Sequence, residues 1–362
     1  MGVLMAQSPL VEFLLEHNER QSAAFCSPDA RLWRQQYRSR HPTEIAALKC
    51  MDGRLNLAIM SNTPPGIIQP YRNIAGKFDI GWPYFGELME DWVNYSMGMG
   101  RDCLILVTHH WAKGDQHRGC RGFEYNTEAA SLYTHELKAQ IERVFGQAHI
   151  VVYPIRLGIE TDEDAFVLYG NNGAQLELAT LGQIAQEDLR QKVQALYPDM
   201  KPQIVNDLLP ILIGNLAHIA SVREERRPIE EAHHQEQIVA VGRGFDWLHL
   251  PNRALIIGPY TYDLAQPVAT AAGILLSNLN EGRVPSDEGF VLMTSAAYRE
   301  EAGPQRFRAI EKTLSLAQFS EETIRREVPQ LRERLAILSG IVNLNTRRFT
   351  QIPFTSTANS TN

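Results

Sequence analysis

The sequence predicts an α/β fold in which a mainly parallel β-sheet is flanked by helices. Three observations support this prediction. Continuous apolar runs of strand length, such as "DCLILVTHH" at 102–110, are typical of parallel strands that are buried on both faces. Stretches with helical spacing of apolar residues lie between these runs, as in "NTEAASLYTHELKAQIERVFG" at 126–146. The same alternation recurs in the second half of the chain, which indicates two related α/β regions.

The elements of the first half follow in order. Residues 1–40 are predicted to form a short helical segment, from periodic apolar positions such as Leu10, Leu14 and Trp33. We then expect a zinc-binding α/β domain over 41–200. Its predicted elements are a strand "IAALKC" (45–50) that runs into the turn "MDGR", a helix (82–100), a strand (102–110), a helix (126–146) and further strands at 149–160 and 164–170.

The second half is predicted to be a C-terminal α/β domain over 201–350, followed by a flexible tail over 351–362. Its strand–helix–strand pattern comprises a helix (204–222), strands (237–245 and 253–260), a helix (264–279) and a strand (289–298). The runs "CLILVTHHW" and "GFVLMTSAAY" share an apolar strand ending in Thr, but the histidines of the first become Ser295 and Ala296 in the second. We therefore expect a duplication whose second copy has lost its metal-binding groups.

The composition excludes several classes of protein. A net charge of −7 argues against an electrostatic nucleic-acid binder, which needs a basic face. No run approaches the roughly 18 apolar residues of a membrane span, so we expect no membrane association. Four cysteines in 362 residues are too few for a disulfide framework, and cysteines near histidines in a reducing compartment are more often metal ligands. We expect a cytoplasmic protein.

Chemistry-bearing side chains follow two of the predicted strands. Cys50, Asp52 and Arg54 form C-x-D-x-R directly after the first strand, and His109 lies at the end of the strand 102–110. The carboxyl ends of parallel strands converge on one crevice, so these residues should meet there with Cys120. Two thiolates and one imidazole are a three-ligand zinc set that leaves a position open for catalysis. Arg54 is expected to pair with Asp52 and to hold that carboxylate off the metal.

The histidine ligand has two alternatives. His110 follows His109 directly, and His117 forms a literal H-x-x-C with Cys120. Neighbouring strand residues point to opposite faces, so His109 and His110 cannot easily both bind. His117 lies in a polar loop rather than at a strand end. We predict His109 as the ligand, with His110 and His117 as the alternatives.

These residues resemble those of the β-class carbonic anhydrases, in which C-x-D-x-R follows one strand and a His and a Cys follow a later one. Those enzymes have a tight H-x-x-C, whereas Cys120 lies eleven residues after His109. This wide spacing and the degenerate second domain are more similar to the carboxysome shell carbonic anhydrases, a divergent β-class group. The resemblance covers roughly residues 40–345. It implies a β-carbonic-anhydrase-like sheet, zinc held by Cys50, His109 and Cys120, and an orienting dyad of Asp52 and Arg54.

The resemblance also implies a function: reversible hydration of CO2 to bicarbonate and a proton by a zinc-bound hydroxide. It further implies a homodimer or higher homo-oligomer, with association with a carboxysome shell or Rubisco as a further expectation. One alternative is hydrolysis of carbon disulfide or carbonyl sulfide on the same scaffold. Another is a zinc-stabilised structural or regulatory component of a carbon-fixing assembly.

Overall fold

The computed structural model describes residues 8–146, 150–225, 234–285 and 287–356 of the chain. The structure divides into two compact units. The first-sheet unit comprises Leu32–His233 with Tyr260–Tyr262, and the second-sheet unit comprises Met1–Arg31, His234–Pro259 and Asp263–Asn362. Each unit contains one mostly parallel sheet among the described residues. The α/β class predicted from the sequence is confirmed.

The helices and strands alternate along most of the chain. The α-helices of the described residues are α1 (Pro9–Cys26), α2 (Pro28–Arg40), α3 (Leu57–Met60), α4 (Pro83–Gly98), α5 (Thr127–Ile141), α6 (Gln186–Leu196), α7 (Pro202–Glu225), α8 (Ala265–Asn280) and α9 (Pro304–Glu327). The strands are β1 (Glu44–Cys50), β2 (Ile68–Asn73), β3 (Cys103–Trp111), β4 (Val152–Glu160), β5 (Ala165–Tyr169), β6 (Gln175–Glu177), β7 (Ile238–Gly242), β8 (Ala254–Ile257), β9 (Phe290–Tyr298), β10 (Leu335–Asn343) and β11 (Phe349–Gln351).

The first sheet has the strand order β2-β1-β3-β4-β5-β6. Its first four strands are parallel, and β5 and β6 continue it in antiparallel pairing. Nearly every residue of β1 and β3 is buried, as expected of parallel strands that are covered on both faces. The apolar core on one face includes Leu48, Ile105 and Phe85. Because β1 and β3 are neighbours and parallel, their carboxyl ends lie side by side.

The second sheet follows the same path, with the strand order β8-β7-β9-β10-β11. Its strands β8, β7, β9 and β10 are parallel, and β11 pairs antiparallel with β10, as β5 does with β4. β7 and β9 therefore take the places of β1 and β3. The predicted duplicated arrangement is confirmed by this shared strand order.

The register shows which residues of the second copy correspond to the two histidines of β3. β3 and β9 both have nine residues, so His109 and His110 correspond to Ala296 and Ala297. This differs by one residue from the predicted correspondence with Ser295 and Ala296, which follows from matching Thr108 to Thr294 rather than from matching the strand ends. The second copy has two alanines where the first has two histidines.

The division into units differs from the expected domain boundaries at residues 40 and 200. α1 belongs to the second-sheet unit, where the Asn18 side chain donates to the Arg347 carbonyl oxygen (3.0 Å) and accepts from the Phe349 amide (2.8 Å). α7 belongs to the first-sheet unit, where the buried Asn215 bonds the backbone of Met60 and Asp164. Contacts between residues this distant along the chain have no local sequence signal. Residues 1–7 of the predicted helical segment and 357–362 of the predicted tail lie outside the described residues.

Within the part of the chain that the structure describes, one helix is long and apolar enough to cross a membrane by length and composition alone. It is α7, with a mean hydropathy of 1.4 over its most apolar 18 residues, half of which are buried. The apolar character of α7 departs from the expectation that no run of the chain approaches the length of a membrane span. Within the first-sheet unit, α7 buries Asp207 and Asn215, and each bonds backbone groups of that unit. A helix with these polar partners packs as a core helix of its unit.

Candidate metal centre

Cys50 is the last residue of β1, and the chain turns sharply after it. The Met51 amide still bonds the Asn73 carbonyl oxygen of β2 (2.8 Å), which holds the strand end in the sheet. The Leu55 amide then bonds the Asp52 carbonyl oxygen (3.2 Å), closing the turn. C-x-D-x-R thus lies at the carboxyl edge of the parallel strands, as the sequence predicted. This edge is where open α/β sheets place their sites.

The structure brings together Cys50, His110 and Cys120. Their ligand atoms all lie within 4.8 Å of one another. The three residues are 6%, 3% and 6% exposed, so the cluster is shielded from bulk water. Cys50 and His110 come from two strand ends that are far apart in sequence, and the parallel pairing of β1 with β3 makes them neighbours. Cys120 joins them from the loop that follows β3.

His109, the predicted ligand, is not in this cluster. Its Nδ1 lies 3.4 Å from Thr134 Oγ1, its Nε2 lies 3.4 Å from the Tyr169 hydroxyl, and its ring stacks on Trp111. Burial, followed by the charge of Arg156 and the neighbouring His110, lowers the pKa of His109 to about 3. Because adjacent strand residues face opposite ways, His110 takes the face of the two thiols and His109 takes the other. The structure therefore replaces His109 with His110 in the candidate ligand set.

His117, the other alternative, lies in the loop before Cys120. Its backbone amide bonds the Asp115 side chain (2.9 Å), and its ring lies edge-on to Tyr125 with centroids 5.1 Å apart. The side chain is exposed and lies outside the cluster. His117 of the literal H-x-x-C therefore lies at the surface, whereas Cys120 is buried in the cluster.

The loop between β3 and Cys120 is fixed by the end of β4. Buried Glu160 accepts the Lys113 amide (3.1 Å), and Asp162 accepts the Gly114 amide (2.6 Å). Arg118 forms an ion pair with Asp162 at 3.0 Å. These contacts hold the inserted loop in one conformation and so determine where Cys120 lies.

Asp52 and Arg54 form a buried ion pair beside the cluster. Arg54 Nη2 lies 2.7 Å from Asp52 Oδ2, Arg54 Nε lies within 3.2 Å of both carboxylate oxygens, and the Arg54 amide bonds Oδ1 at 2.9 Å. Arg54 also donates to the Arg118 carbonyl oxygen (2.7 Å), which ties the dyad to the loop that carries Cys120. The predicted pairing of Asp52 with Arg54 is present. A guanidinium that contacts both oxygens of a carboxylate in this bidentate way fixes the position of that carboxylate.

The two thiols ionise unequally. A hydrogen bond from Cys120, together with the charge of the neighbouring His110, holds the pKa of Cys50 well below its usual value, against the effect of burial. The pKa of Cys120 is raised well above its usual value, because it must ionise beside Cys50 and away from water. Two adjacent buried thiolates repel each other. A dication between them would stabilise both.

The residues of the cluster fit a zinc ion. Both ring nitrogens of buried His110 lack a hydrogen-bond partner among the described residues. Burial of such a polar group costs free energy unless another group, such as a metal ion, binds one of its nitrogens. Two thiolates and one imidazole are soft and borderline ligands of the kind that zinc prefers, and three protein ligands leave one position open. The predicted zinc cofactor is therefore supported by a Cys–His–Cys cluster.

The curated proteins include a relative of this chain. It is the carboxysome shell carbonic anhydrase of Parasynechococcus marenigrum (strain WH8102), 25% identical over 264 residues. The chain is a distant relative of a carbonic anhydrase. The matched part covers 65% of this chain and 45% of the relative, so the chain spans less than half of the relative's length. No protein-family model matches the chain. The duplicated, mostly parallel α/β architecture is consistent with the β-carbonic-anhydrase-like fold that the sequence predicted.

Two residues that support the cluster, Arg72 and Gly76, were not predicted from the sequence. Arg72 donates to the Asp52 carbonyl oxygen (3.1 Å) from the neighbouring strand. Gly76 has φ +67°, and a Cβ there would lie 3.3 Å from the Cys50 amide nitrogen and 3.2 Å from the Thr108 carbonyl oxygen. A single sequence offers little signal for either residue, because their roles depend on which strands pair.

Gly76 gives a direct test of how tightly the Cys50 strand end is packed. We expect Gly76→Ala to lower the free energy of unfolding by about 1–3 kcal/mol, from left-handed strain plus contact with backbone that cannot move. Gly100→Ala is the matched control, since Gly100 has φ +68° with no heavy atom within 4 Å of the added Cβ. Urea unfolding of both variants measures the difference. Equal losses would mean that strain alone, and not packing against Cys50, makes Gly76 necessary.

Proposed function

We propose that this protein is a zinc carbonic anhydrase that reversibly hydrates CO2 to bicarbonate and a proton. The observation that carries the proposal is the buried cluster of Cys50, His110 and Cys120, with ligand atoms within 4.8 Å of one another. The fixed ion pair of Asp52 and Arg54 lies beside this cluster. The distant relationship to a carboxysome shell carbonic anhydrase supports the same activity.

The proposed ligands are the two thiolates and the His110 imidazole. Two thiolates neutralise the formal charge of a zinc dication, and the neutral imidazole completes a set with one open position. Zinc in such a site supplies Lewis acidity that makes a water molecule a nucleophile near neutral pH. The low exposure of all three ligands excludes bulk water, which strengthens every electrostatic interaction inside the site.

Asp52 and Arg54 have the orienting role in this proposal. The Arg54 side chain donates hydrogen bonds to both oxygens of the Asp52 carboxylate, which restricts rotation of that carboxylate. A carboxylate held in this way is a hydrogen-bond acceptor of fixed position, and it can orient a proton-bearing group of the reactants. Arg54 also reaches the Arg118 carbonyl oxygen, so the acceptor and the Cys120 loop keep one relative geometry.

The decisive experiment measures metal content and CO2 hydration on the same sample of wild-type protein. We expect close to one zinc per chain and stopped-flow hydration that is lost on treatment with a chelator and restored by zinc. Zinc without hydration would contradict the proposal and favour a zinc-stabilised structural or regulatory component. Turnover of carbonyl sulfide or carbon disulfide without CO2 hydration would favour a hydrolase on the same scaffold.

The association state and the location are separate proposals. The relative's name describes a carboxysome shell protein, and we propose a carboxysome association for this chain as well, with a homodimer as its smallest assembly. Light scattering of the purified protein tests the dimer. Co-sedimentation with isolated carboxysomes tests the association, and recovery of the protein only in the soluble fraction would contradict it.

A further inference from the structure

The turn Asn73–Lys77, which we call the bridging turn, contacts the Cys50 end of the cluster. In the parallel pairing of β1 with β2, Asn73 is the register partner of Cys50. The Asn73 carbonyl oxygen accepts the amide that follows Cys50, at 2.8 Å. Gly76 packs so closely on the Cys50 amide that a Cβ there would lie 3.3 Å from it. The bridging turn therefore fixes the backbone that carries the first thiol.

The same turn contacts the loop that carries the other thiol. A Cβ added to Gly122 would lie 2.6 Å from Ala75 Cβ, so the two backbones are in close contact. Lys77 Nζ donates to the Gly122 carbonyl oxygen at 3.0 Å. Gly122 lies two residues after Cys120, and the amides of Phe123 and Tyr125 donate to the Cys120 carbonyl oxygen at 3.1 and 3.0 Å. A chain of contacts thus runs from Lys77 through Gly122 to the short turn that begins at Cys120.

Lys77 is itself held on several sides. The Asn73 side-chain amide donates to the Lys77 carbonyl oxygen at 2.7 Å, and the Lys77 amide donates to the Ile74 carbonyl oxygen at 2.9 Å. The ammonium group lies 4.5 Å from the centroid of the Phe123 ring, within the range of a cation–π interaction. Lysine usually loses side-chain entropy when it is fixed, and these contacts offset part of that loss.

We propose that Lys77 is a positioning residue for the metal centre: it holds the Cys120 loop against the Cys50 strand end, so that both thiols face one ion. This inference rests on the proposed metal site. Two residues in left-handed conformation, Ala75 (φ 55°) and Gly76 (φ 67°), precede Lys77 and form the turn from which its side chain reaches Gly122. Such strain persists only where the surrounding structure compensates for it. The ammonium group also adds a positive charge beside the loop that carries Cys120.

The test compares the zinc affinity of Lys77→Met, Lys77→Arg and wild type by competition with a chromophoric chelator. Losing an outer partner of a metal ligand typically weakens binding about 10–100-fold, and we expect Lys77→Met to fall in that range. Lys77→Arg keeps the cation and the donor, so its affinity should stay within about threefold of wild type. Lys201→Met is the matched control. Lys201 is also half-buried and contacts Asp102 at 2.8 Å, and its removal should leave zinc affinity unchanged.

Cobalt substitution gives a readout that a general loss of stability would not change. In Lys77→Met with bound Co²⁺, we expect a shifted thiolate-to-cobalt absorption band, because the Cys120 sulfur has lost its fixed orientation. Wild-type affinity and an unshifted band in Lys77→Met would overturn the inference, as would an equal affinity loss in Lys201→Met. All of these readouts concern metal binding, so absence of CO2 hydration would contradict the proposed function alone. A wild-type chain that binds no zinc would overturn both.

Discussion

His110→Gln is expected to abolish CO2 hydration and to lower zinc affinity by more than the roughly 10–100-fold loss typical of an outer partner. The physical reason is that His110 would supply the nitrogen ligand of the proposed zinc site beside two buried thiols, and an amide is a poor replacement for an imidazole. Zinc content after gel filtration and stopped-flow hydration measure the two effects.

His109→Gln is the matched control for this experiment, because it changes the neighbouring residue in the same way. The His109 ring contacts Tyr169 and Thr134 and not the thiols. We expect this variant to keep close to one zinc per chain, with some loss of stability from the disturbed buried contacts. The reverse outcome, in which His109→Gln loses zinc and His110→Gln retains it, would return His109 to the ligand set.

Asp52→Asn is expected to retain zinc but to lower kcat/KM for hydration by about 10²-fold or more, the range for loss of a positioned proton-transfer or orienting group. An amide has the same shape as the carboxylate, but it presents a donor where an acceptor is needed. The change also leaves buried Arg54 without its counter-ion, which costs about 3–5 kcal/mol of folding free energy. Metal analysis, stopped-flow kinetics and urea unfolding separate these effects.

Asp102→Asn is the control for Asp52→Asn. Asp102 pairs with Lys201 at 2.8 Å, in a contact that is more exposed than the Asp52–Arg54 pair. The Asp102→Asn variant should lose little stability, because ion pairs with access to solvent contribute about 0–1 kcal/mol. It should keep full hydration activity, because Asp102 lies outside the cluster. Full hydration activity in Asp52→Asn would exclude the orienting role and leave the dyad as a structural ion pair.

The choice between His109 and His110 shows where sequence reasoning reached its limit. In a half-buried strand, alternating apolar and polar residues show which face each side chain takes. β3 is buried on both faces and reads as a continuous apolar run, so its sequence contains no such alternation. Strand geometry predicts that only one of the two histidines faces Cys50 and Cys120. Which one does so depends on the pairing of β3 with β1.

The division of the chain into two units could not be predicted from the sequence, for a related reason. Helical periodicity predicted α1 and α7, but not which sheet each helix packs against. Asn18 bonds residues more than 300 positions away, and Asn215 bonds Met60 across 155 positions. Such contacts are decided by the global arrangement, and no local pattern encodes them.

The sequence by itself determined the α/β class, the duplication, and the convergence of Cys50, Asp52, Arg54 and Cys120 on one sheet edge. These follow from local rules: strand and helix periods, and the meeting of parallel strand ends. The tertiary structure alone decided that His110 completes the cluster and that the bridging turn joins the two thiol-bearing segments. The physical reason is that side-chain direction on a fully buried strand, and contact between distant loops, depend on strand register and packing rather than on any local pattern.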